Sequence, residues 1–286
     1  MTHTRTRHLL RSADGSLAVT VDESGSRIAS IRHLPTDTEL LLQVPWNPDE
    51  EPTEPREDSN QHWHERFAGG WHTLLPNAGD ARVVDGVTHP FHGEAAWRLW
   101  TTIAADESSC TLSVDLQTVP LRITRTTSAT DTGVIVDVTV ENFSDTEVNF
   151  TWTEHPSFNE QILDPAARVW VGDELTEATF PERGESHSGF RSAPVEGPGI
   201  GRIAGPDGEA TLTWDEKIFP YAQVWQEHRS VADFPWFGKT STAAIEPASR
   251  AYDATEPVLG PIVLGPGESL RTSLGLAFQP GPARTA

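Results

Sequence analysis

The chain has 286 residues, a formal net charge of −21, 36% hydrophobic content, 22 Gly and 22 Pro. A chain of this length buries roughly three quarters of its unfolded surface, so a large core forms without staples. The acidic balance excludes partners held by a basic stripe, nucleic acid and anionic membranes among them, and favours a neutral or weakly charged ligand.

Residues 1–12 contain basic residues but no apolar run long enough for a signal peptide. No segment approaches the ~18 consecutive apolar residues of a membrane span. A flexible tail and a cytoplasmic location are the expectation. Leu17, Val19 and Val21 then alternate with polar neighbours, and RIASIRHL and ELLLQV follow at short intervals, which is the pattern of a β-meander. Residues 47–60 hold six acidic residues and three prolines without periodicity, and read as a surface loop. The stretches QHWHERFAGGWHTLLPNAGD and VVDGVTHPFHGEAAWRLW are too broken for long strands and too rich in Trp and His for spacers. Loops of that kind are where binding sites tend to lie.

From Trp97 onward strands dominate. Cys110, the one cysteine, falls with Leu112, Val114 and Leu116 on one apolar face. It can form no internal disulfide or thiolate metal cluster and reads as a small buried hydrophobe. In GVIVDVTVEN, Val134, Val136, Val138 and Val140 share a face opposite Asp137, Thr139 and Glu141. TLTW, YAQVW, TSTAAIE, PIVL and SLRTSLGLAF continue the series, and residues 280–286 read as a tail. No long 3.6-residue period, fixed repeat or composition break appears. The expectation is one all-β domain, a large antiparallel β-sandwich spanning residues 1–286.

Three sites stand out as chemistry. In residues 148–155 the apolar Val148, Phe150 and Trp152 alternate with polar positions, and His155 ends the run on the polar face before Pro156. Glu246, in STAAIEPAS, likewise ends a strand whose polar face includes Thr240 and Thr242, and a proline follows it at once. The expectation is an acid and a base held at strand ends roughly 5–8 Å apart across a cleft, without direct pairing. His92 stands before Gly93, whose backbone freedom suits a turn that presents the imidazole.

In these segments the chain resembles the aldose 1-epimerase, or galactose mutarotase, family. GGWHTLLPNAG is similar to the family's glycine-rich loop, HPFHGEAAWRLW to its His-Gly segment, TEHPSFN to its His-Pro-x-Phe-Asn element and AIEPAS to its Glu-Pro strand end. The four matches run in the family's order over residues 69–249. The resemblance implies a galactose mutarotase-like supersandwich and a free sugar as substrate. It also implies no metal or organic cofactor. His155 would be the acid that protonates the ring oxygen, Glu246 the base on the anomeric hydroxyl, and His92 a hydrogen-bonding partner of the sugar. His72, in the glycine-rich loop, and Arg66, just before it, join the substrate-binding set. Trp225 in YAQVWQEHR suits stacking against a sugar. The aspartate that many members place between the histidine and the glutamate has no match, since Asp215 and Asp233 stand in other contexts. A monomer or homodimer is expected.

Other readings stay open. A mutarotase-like module that binds sugar without turnover shares the same fold. HWHERF places His62 and His64 two apart before Glu65, which on a strand resembles a cupin metal site that His72, His89 or His92 would complete. An acidic sugar such as a hexose 6-phosphate would call for clustered arginines; only Arg66, Arg98 and Arg229 lie near the motifs.

Overall fold

The computed structural model describes residues 6–46, 55, 58–176, 178, 180–182, 184–252 and 258–282. The chain opens with β1 (Arg7–Arg11), β2 (Leu17–Asp22), β3 (Arg27–His33) and the short β4 (Thr38–Glu39), then a helix, α1 (Ser59–Arg66). β5 (Trp71–Leu74) and the hairpin β6 (Arg82–Val84) and β7 (Val87–His89) lead to β8 (Thr101–Ala105), β9 (Ser109–Asp115), β10 (Leu121–Thr130) and β11 (Gly133–Asn142). There follow β12 (Val148–Phe150), β13 (Thr153–Asn159), β14 (Arg168–Val171), β15 (Glu174–Leu175), β16 (His187–Pro194), β17 (Ile200–Gly205) and β18 (Gly208–Thr213). The series ends with β19 (Tyr221–His228), β20 (Ser241–Ala248), β21 (Ile262–Leu264) and β22 (Ser269–Pro280).

Two nine-stranded sheets carry the fold. One runs β1-β2-β3-β5-β13-β20-β19-β16, with β4 on β3, and the other runs β15-β14-β17-β18-β22-β11-β10-β9-β8. The pairings within them are antiparallel. The core lies between the sheets. Val19, Ile31, Phe158 and Ile245 of the first meet Leu112, Val136, Val138 and Leu276 of the second in one apolar cluster. This is what period-two alternation dictates, since each strand turns one set of side chains inward. Cys110 is buried there as expected, and burial pushes its thiol up to about 11.

The other face of the first sheet positions the site. Alternation turns His72 and Leu74 of β5, Thr153, His155 and Ser157 of β13, Glu246 and Ala248 of β20, Gln223 and Trp225 of β19 and Phe190 of β16 away from the second sheet. α1 and its flanking loops cover this face with a second apolar cluster that includes Trp63, Phe67, Phe91, Trp97 and Trp236.

Several local expectations are corrected. Residues 7–11 are not a frayed tail but an edge strand paired with β2 over its whole length. Most of the 47–60 loop lies outside the described residues, and its last positions belong to a helix start: Asp58 caps α1 by accepting the Gln61 N–H. His62 and His64 therefore sit on a helix, not a strand. His62 packs on Trp97 and His64 on Phe91, and among the described residues no group of three or more His, Cys, Asp or Glu converges as a metal site. Among those residues no helix is long and apolar enough to cross a membrane.

Candidate active site

The strand read through residues 148–155 is two strands. β12 pairs with β21 in a small separate sheet, and the chain re-enters the first large sheet at Thr153. Pro156 does not end β13, nor Pro247 β20; both lie inside their strands. The pairing of β13 with β20 holds at Thr153–Ala248, lapses, and resumes at Ser157–Ala244 in the same register. That register sets His155 directly across from Glu246, in the lapse. The Ser157 N–H donates to Gly70 on one side of β13, and the Ser249 N–H to Trp152 from β20. By alternation the missing N–H groups of Pro156 and Pro247 both point into this seam. Neither proline pair can close both its hydrogen bonds.

The result is a pair in contact: His155 Nε2 lies 3.4 Å from Glu246 Oε1, with both side chains buried. This corrects the expected 5–8 Å separation. Opposed residues of the non-hydrogen-bonded kind bring their side chains closest in an antiparallel ladder, whereas a cleft between strand ends would have held them apart. Burial pushes the Glu246 carboxyl up to about 8 and the His155 imidazole down to about 4. Burial thus disfavours charge on both groups, and the contact is a neutral pair and not an ion pair. Ser157 Oγ, 3.2 Å from Nδ1, occupies the other ring nitrogen.

His92 enters from the opposite wall. Its own φ is 63° and that of Gly93 is 75°. A Cβ at residue 93 would meet the Leu75 carbonyl oxygen at 2.4 Å, so only glycine allows this turn. The Gly79 N–H donates to His92 Nδ1 at 3.1 Å. That bond fixes the tautomer: Nε2 carries the proton, and the ring, whose centroid is 5.7 Å from that of His155, is a hydrogen-bond donor. Burial holds its pKa well below the usual histidine range, so it stays neutral.

A cavity of about 230 Å³ opens above the pair, lined by His92, His155, Glu246, Gln223 and seven aromatic rings, Trp225 among them. Trp225 is not a core residue; its ring centroid is 5.7 Å from that of His155. Two expected residues are absent from the lining. His72 is the register neighbour of His155, but its Nε2–H donates to the Gly69 carbonyl at 3.0 Å and its ring stacks on Phe67, so it backs the wall instead of facing the cavity. Arg66, at the end of α1, lies outside the lining as well. Gln223 was missed. It sits across from Glu246 on β19 and two residues before Trp225, so the same alternation that singles out Trp225 points to it. Asn60 and Trp236 were missed because only tertiary folding brings α1 and the 229–240 loop over the sheet. Among the described residues Glu246 is the one carboxylate of the lining, and neither Asp215 nor Asp233 reaches it.

Comparison by sequence matches neither a protein family nor a curated protein. Comparison of structure does. The chain is similar to a galactose mutarotase related enzyme from Lactobacillus acidophilus, at 14% identity and a TM-score of 0.70 over 98% of this chain and 100% of that one. It is also similar to a galactose mutarotase-like protein from Lactobacillus casei, at 18% identity and a TM-score of 0.66 over 96% of this chain and 100% of the other. An aldose epimerase homologue from C. elegans, 14% identical, gives a TM-score of 0.68 over 98% and 100% of the two chains. The chain has the all-β fold of the galactose mutarotase-like proteins, as the motifs led one to expect.

Proposed function

We propose that the protein is an aldose 1-epimerase interconverting the α and β anomers of a neutral free aldose. The observation that carries this reading is the buried His155–Glu246 contact at the floor of an aromatic-lined cavity sized for one small ring. Ligand pockets commonly run about 300–1,000 Å³, so a cavity of about 230 Å³ suits a monosaccharide unit. In the proposed cycle Glu246 takes the proton of the anomeric hydroxyl, the C1–O5 electron pair passes to the ring oxygen, and His155 protonates it. Rotation about C1–C2 exposes the other aldehyde face, and closure returns both protons. In the empty site the shared proton rests on Glu246, so a bound sugar hydroxyl must displace it across the 3.4 Å contact onto His155. The Nε2–H of His92 and the amide of Gln223 hydrogen-bond sugar oxygens, and Trp225 stacks on the apolar face of the ring. No Lys or Arg lines the cavity among the described residues, which favours a neutral sugar over a phosphorylated one.

The test is anomer exchange followed by NMR over glucose, galactose, xylose and charged hexoses. Glu246→Gln and His155→Asn should each slow exchange by ~100-fold or more while leaving sugar binding within a few fold. Near-wild-type exchange in either variant would refute the mechanism. If no sugar exchanges faster than in buffer, the protein is a binding module.

A further inference from the structure

We infer that a second cleft, bounded by the β6–β7 hairpin, the β9–β10 loop and β12, binds a small organic ammonium: a primary amine on a short hydrocarbon chain. The inference goes beyond the epimerase reading and does not depend on it.

The cleft holds about 460 Å³, within the usual range of ~300–1,000 Å³ for ligand pockets. It shares no lining residue with the cavity over His155. Its walls are aliphatic, from Val84, Val87, Val119, Val148 and Leu259, and Asp85, Glu147, His89 and Asn149 are among its polar groups. Among the described residues no Lys, Arg, Phe, Tyr or Trp lines it. A sugar would lack the aromatic faces that stack on its C–H groups, and an anion would meet two carboxylates. An ammonium finds acceptors there, and its chain finds apolar walls. The net charge of −21 adds a long-range pull on cations. Arg82, whose Nη1 reaches the Val258 carbonyl at 3.5 Å, stands outside the lining.

His89 marks the cleft as more than a patch of acid. It is 1% exposed, lines the cleft with Val87 of the same strand face, and its Nδ1 has no hydrogen-bond partner among the described residues. A buried nitrogen left unpaired bears an uncompensated desolvation penalty. Burial holds the imidazole below the usual histidine range, so the ring is neutral and its unprotonated nitrogen accepts. An ammonium carries the donors that such a nitrogen lacks.

The walls are set in advance. Asp85 and Gly86, with φ of 50° and 80°, make the two-residue turn of the hairpin, a conformation that Asp-Gly favours. Across the cleft the Thr118 N–H and Oγ1 both donate to Glu94 Oε2 at 2.8 Å, which fixes the β9–β10 loop. Thr151 Oγ1 donates to the Leu259 carbonyl at 2.7 Å and ties that wall to the approach of β13. Walls already in place lose little conformational entropy when a ligand enters. His89 borders this cleft and His92 the aromatic cavity, so a single turn joins the two along the chain.

The experiment titrates the full chain with butylamine, butanol and butyrate, by calorimetry and by NMR of histidine labelled with carbon-13 in the ring. His89→Gln identifies the His89 signal. The expected result is that butylamine shifts that signal and binds about tenfold more tightly than the neutral and anionic analogues of the same length. Asp85→Asn and Glu147→Gln, at exposed positions, should each weaken butylamine about fivefold. Glu246→Gln, in the other cavity, should leave its affinity unchanged. No binding of butylamine, equal binding of butanol, or preference for butyrate overturns the assignment. Loss of binding in Glu246→Gln, with no change in the Asp85 and Glu147 variants, places the amine in the aromatic cavity and also overturns it. Should His89→Gln fail to fold, calorimetry on wild type and the Asp85→Asn/Glu147→Gln double variant decides: weaker binding in the double variant supports the site, and equal affinity removes it.

Discussion

Burial alone separates the two groups of the acid–base pair. Desolvation raises Glu246 to about 8 and lowers His155 to about 4. The pair works only while it carries one proton, since two leave no acceptor and none leaves no donor. It gains a second proton as pH falls through about 4, where His155 charges, and loses its single one as pH rises through about 8, where Glu246 ionises. The expected profile of kcat/KM is therefore a plateau between those limbs, which belong to the pair and not to either residue alone. A limb near the ordinary histidine value of ~6.5 instead would show that the imidazole titrates freely and that burial does not set the pair. His155, Glu246, His92 and Trp225 were all legible in the sequence, each from a local pattern. Arg66 and His72 were misread because proximity in sequence to the glycine-rich loop says nothing about which side of β5 or α1 a side chain takes. His72 is one strand away from His155, yet its ring turns to a backbone carbonyl.

At the scale of the element, the seam between β13 and β20 is what brings the pair together. Pro156 and Pro247 were legible as breakers of ladder pairing, and in that chemical sense the reading holds. What alternation along one strand could not supply is that both breaks fall at the same level of two neighbouring strands, because register is a property of the pair. Restoring the two N–H groups should close the seam. In the double variant Pro156→Ala/Pro247→Ala the new amides at positions 156 and 247 should be protected from hydrogen exchange. kcat should then fall ~10- to 100-fold, as a displacement of about 1 Å at the reacting groups suffices for that. Protected amides with unchanged kcat would show that the open seam has no part in placing His155 and Glu246. The helix α1 was not legible for a related reason: eight residues with a histidine–tryptophan–histidine alternation mimic a strand, and the deciding signal was the single cap at Asp58.

For the molecule as a whole, the two sheets are joined beneath the site by a charged link that local pattern could not reveal. Glu154 precedes His155 and faces the opposite way, into the space between the sheets. Its carboxylate accepts Trp71 Nε1 at 2.6 Å, Thr73 Oγ1 at 2.8 Å and Trp152 Nε1 at 2.9 Å, all from the first sheet or its approach. Arg125, on β10 of the second sheet, donates to it at 3.2 Å and to the Ser26 carbonyl at 2.7 Å, and both side chains are fully buried. The polar residues that alternate with Trp152 mark one face of this segment, but an acid on the apolar face reads as a fault until its partner, 29 positions earlier, is known. Such a link adds little net stability over a well-packed apolar core, but breaking it from one side strands a charge. Glu154→Ala, which leaves Arg125 unpaired, should lower unfolding free energy by about 3–5 kcal/mol. The matched double variant Arg125→Met/Glu154→Leu should recover most of that loss. Urea unfolding of the three proteins measures both. Because β13 carries His155 on its other face, the double variant also separates stability from positioning. If the link fixes the strand, the double variant should fold well yet lose kcat, with KM little changed. Full activity in a stable double variant would reduce the Arg125–Glu154 pair to a packing element with no hold on the site.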